Sequence, residues 1–259
     1  MARPKKREGP LDEVQALLVE LNLTTAATEL PRLLAEAESK SPSYSDFIRA
    51  TLEVEQAARF GRKIQRRLRW SKLGPYVSLE NFNFADRPQL SPQVVRELLN
   101  CRFIEEHRNL IIVGRPSTGK TTVARAIGHA ACRKAYSVYN GSMLEILETL
   151  HASRADGTYR KAFRRVTSPD LLLLDDAGFG DLGKHATSEL FRLVCARYQQ
   201  KSTIVVTNLA FKKWGEFIPS AAQAVAIADR LIDNATILRF SGKPYRNPHD
   251  IHGAPLDDE

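Results

Sequence analysis

NLIIVGRPSTGKTTVAR, residues Asn109 to Arg125, decides how the rest of the chain is read. Leu110 to Val113 is an apolar, β-branched run that reads as a strand. Gly114 and Gly119 bracket a turn, and Lys120, Thr121 and Thr122 open a helical pattern. Gly-x-x-x-x-Gly-Lys-Thr between a strand and a helix is the P-loop. Its spacing lets Gly114, Arg115, Pro116, Ser117, Thr118 and Gly119 turn the backbone sharply, so that consecutive N–H groups and a helix N-terminus face a triphosphate. Lys120 reaches the β- and γ-phosphate oxygens as a point charge, and the Thr121 hydroxyl is a ligand for Mg²⁺. Thr122 completes the loop and packs the helix. The function that follows is nucleotide binding.

At 259 residues and 43% hydrophobic, the chain can bury one sizeable core and a smaller satellite. Its longest apolar runs, LIIV and LLLL, fall far short of the ~20 residues a membrane span requires. The start, MARPKKREG, has no apolar h-region. A cytoplasmic protein that does not enter the membrane is therefore expected. Cys101, Cys132 and Cys195 are far apart within helical patterns, which points to reduced thiols and away from a disulfide framework or a zinc site. His249 and His252 sit in a Pro-bearing tail and read as solvated.

The net charge of +8 suggests a polyanionic partner. Residues 8 to 58 carry ten acids and three bases, whereas Arg59 to Lys72 (RFGRKIQRRLRWSK) carries seven bases and no acid. Arg62, Lys63, Arg66, Arg67 and Arg69 can form a phosphate-contacting face, the rival reading being a solvated helix face.

In chain order, residues 1–10 are a basic tail and 11–73 a small helical domain that binds DNA or a partner. Its apolar stripes are Val14, Leu17, Leu18 and Leu21, then Leu30, Leu33 and Leu34, then Phe47, Thr51, Val54 and Ala58 running on to Leu68. Pro31 fits the first turn of a second helix, and Ser43 or Ser45 the cap of a third. Residues 74–90 are a linker that docks through Phe82 and Phe84 on one face of an extended segment, where they pack into the core or wall an adenine site. Ser91 and Pro92 start a helix. From Asn109 onward strands and helices alternate, the pattern of a parallel sheet covered on both faces. Strands are predicted at 110–113, 136–139, 171–175, 203–208 and 236–240, within a domain spanning 91–246 and followed by a tail at 247–259.

LLLLDD, Leu171 to Asp176, is an apolar strand ending in two carboxylates. Strand ends in such sheets face the ligand crevice, so Asp175 can hold the Mg²⁺ shell and Asp176 can orient and deprotonate the attacking water. TIVVTN ends in Asn208, which either positions that water beside the γ-phosphate or makes a turn. Arg230, in AIADRLID, is either a surface residue or a charge supplied to a neighbouring subunit's nucleotide. Between the second and third strands, Arg160, Lys161, Arg164 and Arg165 offer a second basic surface.

The helical segment ending in a basic helix, the NFNF linker, FIEEHRNLIIVGRPSTGKTTVA, LLLLDDAGFG, VVTNLAFKKW and DRLIDNATILRFSGKPYR occur in that order. Together they resemble the IstB-type transposition helper ATPases, AAA+ proteins akin to DnaC-type helicase loaders. The resemblance spans about Leu11 to Arg246. It implies an α/β AAA+ P-loop domain with a five-stranded parallel sheet and no C-terminal lid, preceded by a small helical domain. It implies ATP and Mg²⁺ as cofactors, and a homo-oligomer with nucleotide at its subunit interfaces. It further implies assembly on duplex DNA and delivery of that DNA to a cognate transposase. Lys120 and Thr121 would be Walker A, Asp175 and Asp176 Walker B, Asn208 sensor 1 and Arg230 the arginine finger. Thr122 stands where relatives often have His. No lid arginine exists, and Arg246 is the candidate substitute. The rival within the same fold is a loader of a replicative helicase that prefers single strands. A small-molecule kinase would require a lid and an acceptor pocket that the sequence does not offer.

Overall fold

The computed structural model describes residues 9–178 and 182–242; Arg246, His249 and His252 lie outside them. The chain divides into two compact units, Met1–Arg66 and Arg67–Glu259.

The first unit holds α1 (Pro10–Glu20), α2 (Thr24–Lys40) and most of α3 (Tyr44–Ser71). The Ser43 hydroxyl caps α3 by accepting from the Asp46 amide at 3.2 Å. Two expectations fail here. The α1 stripe buries nothing: Val14, Leu17 and Leu21 are 47%, 57% and 66% exposed. The unit's buried apolar residues come from α2 instead, namely Ala26, Ala27, Leu30 and Leu33. A segment this short cannot enclose two apolar faces. Pro31 also stands inside α2, not in its first turn. The helix starts earlier because the buried Glu55 carboxylate accepts the amides of Thr25 (2.7 Å) and Ala26 (3.1 Å), capping α2 from α3.

Glu55 also receives Arg59 Nε and Arg62 Nη2, each at 2.9 Å. Burial pushes its carboxyl up, but the bonds from Arg59, Ala26, Thr25 and Arg62 more than offset this and hold it at about 2.

In the second unit, α4 (Pro92–Leu99) and α5 (Arg102–Glu105) precede β1 (Asn109–Gly114). There follow α6 (Lys120–Arg133), β2 (Val138–Ser142), α7 (Met143–Ala152), α8 (Tyr159–Thr167), β3 (Leu171–Ala177) and α9 (Lys184–Arg197). The series closes with β4 (Ser202–Thr207), a 3₁₀ turn (Phe211–Lys213), α10 (Trp214–Phe217), α11 (Ala221–Ile232) and β5 (Ala235–Phe240). The five strands form one parallel sheet in the order β2-β3-β4-β1-β5.

Alternation along β1 shows how both faces are filled. Leu110 and Ile112 pack with Val95, Phe103, Val123 and Ile127 on the α4/α6 side. Ile111 joins Leu147, Leu190, Ile227 and Leu231 on the α7/α9/α11 side. Side chains of both signs of the alternation are fully buried, so each central strand reads as a continuous apolar run.

The second strand begins two residues later than predicted. Tyr136 donates its amide to Ala131 O at 3.0 Å and Ala135 takes φ 63°, so these residues close α6 and cannot pair. The segment before α4 is not extended. Amide bonds from Phe82 to Leu79 O, from Arg87 to Phe84 O and from Leu90 to Arg87 O fold it into successive turns. Phe82 and Phe84 meet edge-on, 4.9 Å between centroids, against the α4/α6 core. Among the described residues no helix is long and apolar enough to cross a membrane.

Candidate nucleotide site

The P-loop leaves β1 at Gly114 because nothing larger fits: a Cβ there would stand 2.2 Å from Phe240 O at the end of β5. Ser117 (φ 60°) and Gly119 (φ 92°) are both left-handed, so the backbone turns at each of them before α6. The buried Thr118 fixes the loop internally, its hydroxyl donating to Arg115 O at 2.8 Å. The Lys120 ammonium turns back onto the same Arg115 O at 2.6 Å. Burial pushes that ammonium below its ordinary value, and the carboxylates of Asp175 and Asp176 pull the other way.

Across the loop, the Thr121 hydroxyl donates to Asp175 Oδ1 at 3.1 Å. Burial first, and then the charge of Asp176, push the Asp175 carboxyl up, while the Thr121 bond opposes the shift. A hydroxyl beside a carboxylate whose ionised form is disfavoured is the oxygen donor set of a hard divalent cation such as Mg²⁺, whose charge would relieve both effects. Asp176 sits where β3 bulges between Leu174 and Ala177, with φ 54° and an exposed side chain. A left-handed residue of this kind costs about 1–3 kcal/mol and is tolerated best by Asn and Asp. Its effect is to turn two consecutive carboxylates of one strand toward one cavity.

That cavity measures about 630 Å³ and is lined by Pro116 through Thr122 and by Arg125, Asp175, Asp176, Thr207 and Asn208, with Ser78, Asn81 and Phe82 along one wall. The volume lies in the ~300–1,000 Å³ range of small-molecule sites. Asn208 Oδ1 is buried and has no hydrogen-bond partner among the described residues. An orphaned polar atom at such a place marks where a ligand or its water belongs. The residues present therefore fit a nucleoside triphosphate with a divalent ion.

The family-model match covers residues 16–252 and is to the IstB-like ATP binding protein. This chain belongs to that family. Among its relatives is an insertion sequence IS21 ATP-binding protein of Pseudomonas aeruginosa, 30% identical over 91% of this chain and 89% of the relative. An insertion-sequence ATP-binding protein of Sinorhizobium fredii is 32% identical over 87% of this chain and 92% of that one. In fold, the IstB-like chain resembles AMPPCP-bound DnaA from Aquifex aeolicus, with a TM-score of 0.56, 24% identity, and coverage of 66% of this chain and 51% of that one. It also resembles DnaI, with a TM-score of 0.53, 18% identity, and coverage of 66% and 90%. The chain thus spans about half of the DnaA structure it matches. The fold is that of the AAA+ P-loop ATPases, and the family is an ATP-binding one.

The other predicted residues stand apart from the cavity. Arg230 lies on α11 outside the lining, its Nη1 donating to Ala226 O at 2.9 Å and its guanidinium 5.4 Å from the Phe191 ring centroid. Asn109 fixes the end of α11 by donating Nδ2 to Leu231 O at 3.1 Å. Arg160, Lys161, Arg164 and Arg165 are exposed along α8, whose other side sends Ala162, Phe163 and Val166 into the core. None of these four bases is ion-paired with a described residue, whereas neighbouring Arg154 is held by Glu189 at 2.7 Å. On α3, Lys63, Arg66 and Arg69 are exposed. Arg62 is engaged within its own unit by Glu55 and by the Thr25 hydroxyl at 2.9 Å.

Sequence reading missed Arg87. This side chain is 1% exposed and donates Nε to Thr118 O at 2.9 Å, holding the P-loop from the preceding segment. No motif distinguishes it, because the partner is a backbone oxygen far along the chain.

Proposed function

We propose that the chain is an ATP hydrolase that self-associates on duplex DNA when ATP and Mg²⁺ are bound, and that it presents this DNA to a partner transposase. The observation carrying the proposal is the row of four exposed bases on α8, none of them ion-paired with a described residue, on an ATPase core whose relatives come from insertion sequences. Such a row contacts phosphates without reading bases, giving affinity that falls steeply with salt.

In this reading the P-loop amides and Lys120 bind the phosphates, Lys120 exchanging Arg115 O for phosphate oxygen. Thr121 and Asp175 hold Mg²⁺, which when bound offsets charge on the phosphates. Asp176 accepts the proton of the attacking water, and Asn208 orients that water through its amide. Arg230 acts on the nucleotide of an adjacent copy, which accounts for its place outside its own chain's cavity. Binding of nucleotide, association of copies and grip on DNA are then one linked equilibrium.

The test is duplex binding by fluorescence anisotropy with a slowly hydrolysed ATP analogue, without nucleotide, and with Lys120→Ala. Binding is expected with the analogue alone and to exceed binding to a single strand of equal length. Equal binding in all three conditions would remove the proposal, and a single-strand preference would favour a helicase loader.

A further inference from the structure

At the start of the edge strand β2, a cavity of about 330 Å³ opens between the last turns of α3 and the end of α8. Arg67 and Trp70 line it from α3, one helical turn apart and so on one face; Arg165 and Ser168 line it from the end of α8, and Tyr139 of β2 is also in its lining. Its size is at the lower end of small-ligand sites, about 300 Å³.

Three features call for an occupant. Trp70 is 68% exposed, whereas the other tryptophan, Trp214, is 1% exposed. A bare indole beside two guanidinium groups offers an unused stacking face. Next, the Arg67 Nε is buried with no hydrogen-bond partner among the described residues. Third, neither Arg67 nor Arg165 is ion-paired with a described residue. The nearby Asp170 already accepts Lys201 Nζ at 2.6 Å and the Ser137 hydroxyl at 2.6 Å, and Arg165 lies over the Tyr139 ring, 5.2 Å from its centroid.

An aromatic platform sharing a cavity with two cationic forks is the recognition chemistry of an unstacked nucleotide, base on the ring and phosphate on the guanidiniums. We infer that this cavity takes one extrahelical nucleotide of the bound DNA, its base on Trp70 and its phosphate on Arg67 and Arg165. The inference rests on the duplex-binding reading above and adds to it. The α8 row grips a duplex of any sequence, and the Trp70 pocket favours duplexes where one base leaves the stack at little cost.

The experiment compares a fully paired 30-mer duplex with the same duplex carrying a single-nucleotide bulge, each with the full chain and a slowly hydrolysed ATP analogue. The bulged duplex is expected to bind at least fivefold tighter and to quench tryptophan fluorescence, which reports Trp70 because Trp214 is shielded. Trp70→Ala should remove both the preference and the quenching while affinity for the paired duplex changes less than twofold; Trp70→Phe should retain part of the preference. ATP turnover and the melting curve check that both variants fold. Equal affinity of the wild type for the two duplexes, or an unchanged preference in Trp70→Ala, overturns the pocket and leaves duplex binding standing. Binding to neither duplex overturns both. If free thymidine monophosphate quenches Trp70 at micromolar concentration while bulged DNA does not, the pocket serves a free nucleotide and the inference is wrong.

Discussion

Arg87 Nε donates to the backbone oxygen of Thr118 across 2.9 Å, inside the protein, so the P-loop is held by a residue that contributes nothing to its motif. The same corner is packed from the end of β5: a Cβ on Gly242 would lie 2.0 Å from Asp86 O. The shape of the phosphate loop therefore depends on two segments distant from it in sequence.

Arg87→Ala leaves a buried carbonyl without this donor, a loss of about 1–3 kcal/mol. ATP affinity measured by calorimetry is expected to fall about tenfold, equivalent to ~1.4 kcal/mol. Arg87→Lys, with a single point donor, should recover part of it. Unaltered affinity in Arg87→Ala would mean that the loop holds its shape unaided.

Asp176→Asn separates chemistry from binding. Asn tolerates the φ of 54° as well as Asp does, so the melting temperature should not move. Losing the proton acceptor is expected to cut steady-state ATP turnover by about 10²–10⁴-fold with ATP affinity retained. Turnover within threefold of the wild type would assign the base elsewhere.

Arg230→Ala removes a side chain whose hydrogen bond is to its own helix, at Ala226 O, so folding and ATP affinity should persist while hydrolysis is lost. Mixing this variant with Lys120→Ala, inactive by itself, should restore part of the activity, since each supplies what the other lacks. No recovery on mixing would place the arginine's action within one chain or nowhere.

Glu55 makes a pH prediction. Its folded value of about 2 lies below the ordinary 4.5, so the stabilisation is complete above pH 4.5 and disappears as pH falls toward 2. Glu55→Gln, which cannot bind two amides and two guanidiniums as an anion, is expected to lower stability at pH 7 by about 1–3 kcal/mol and to flatten the acid limb of the full chain's thermal melts. An acid limb identical to the wild type's would show that other carboxylates dominate it.

The amino-acid order alone determined the features that depend on neighbours in sequence. A strand, two glycines and Lys120 at fixed spacing specify the phosphate loop, and apolar runs ending in Asp175 and near Asn208 specify strands whose ends meet it. Their chemistry is encoded within a few residues. The tertiary structure alone decided what depends on groups about thirty residues apart or more. Glu55 caps α2 from another helix and sets its start ahead of Pro31; Arg87 reaches Thr118; Arg67, Trp70 and Arg165 converge from two helices. Hydrogen bonds and burial of this kind carry no local period or spacing, because each partner's position is set only once the sheet has brought the segments together.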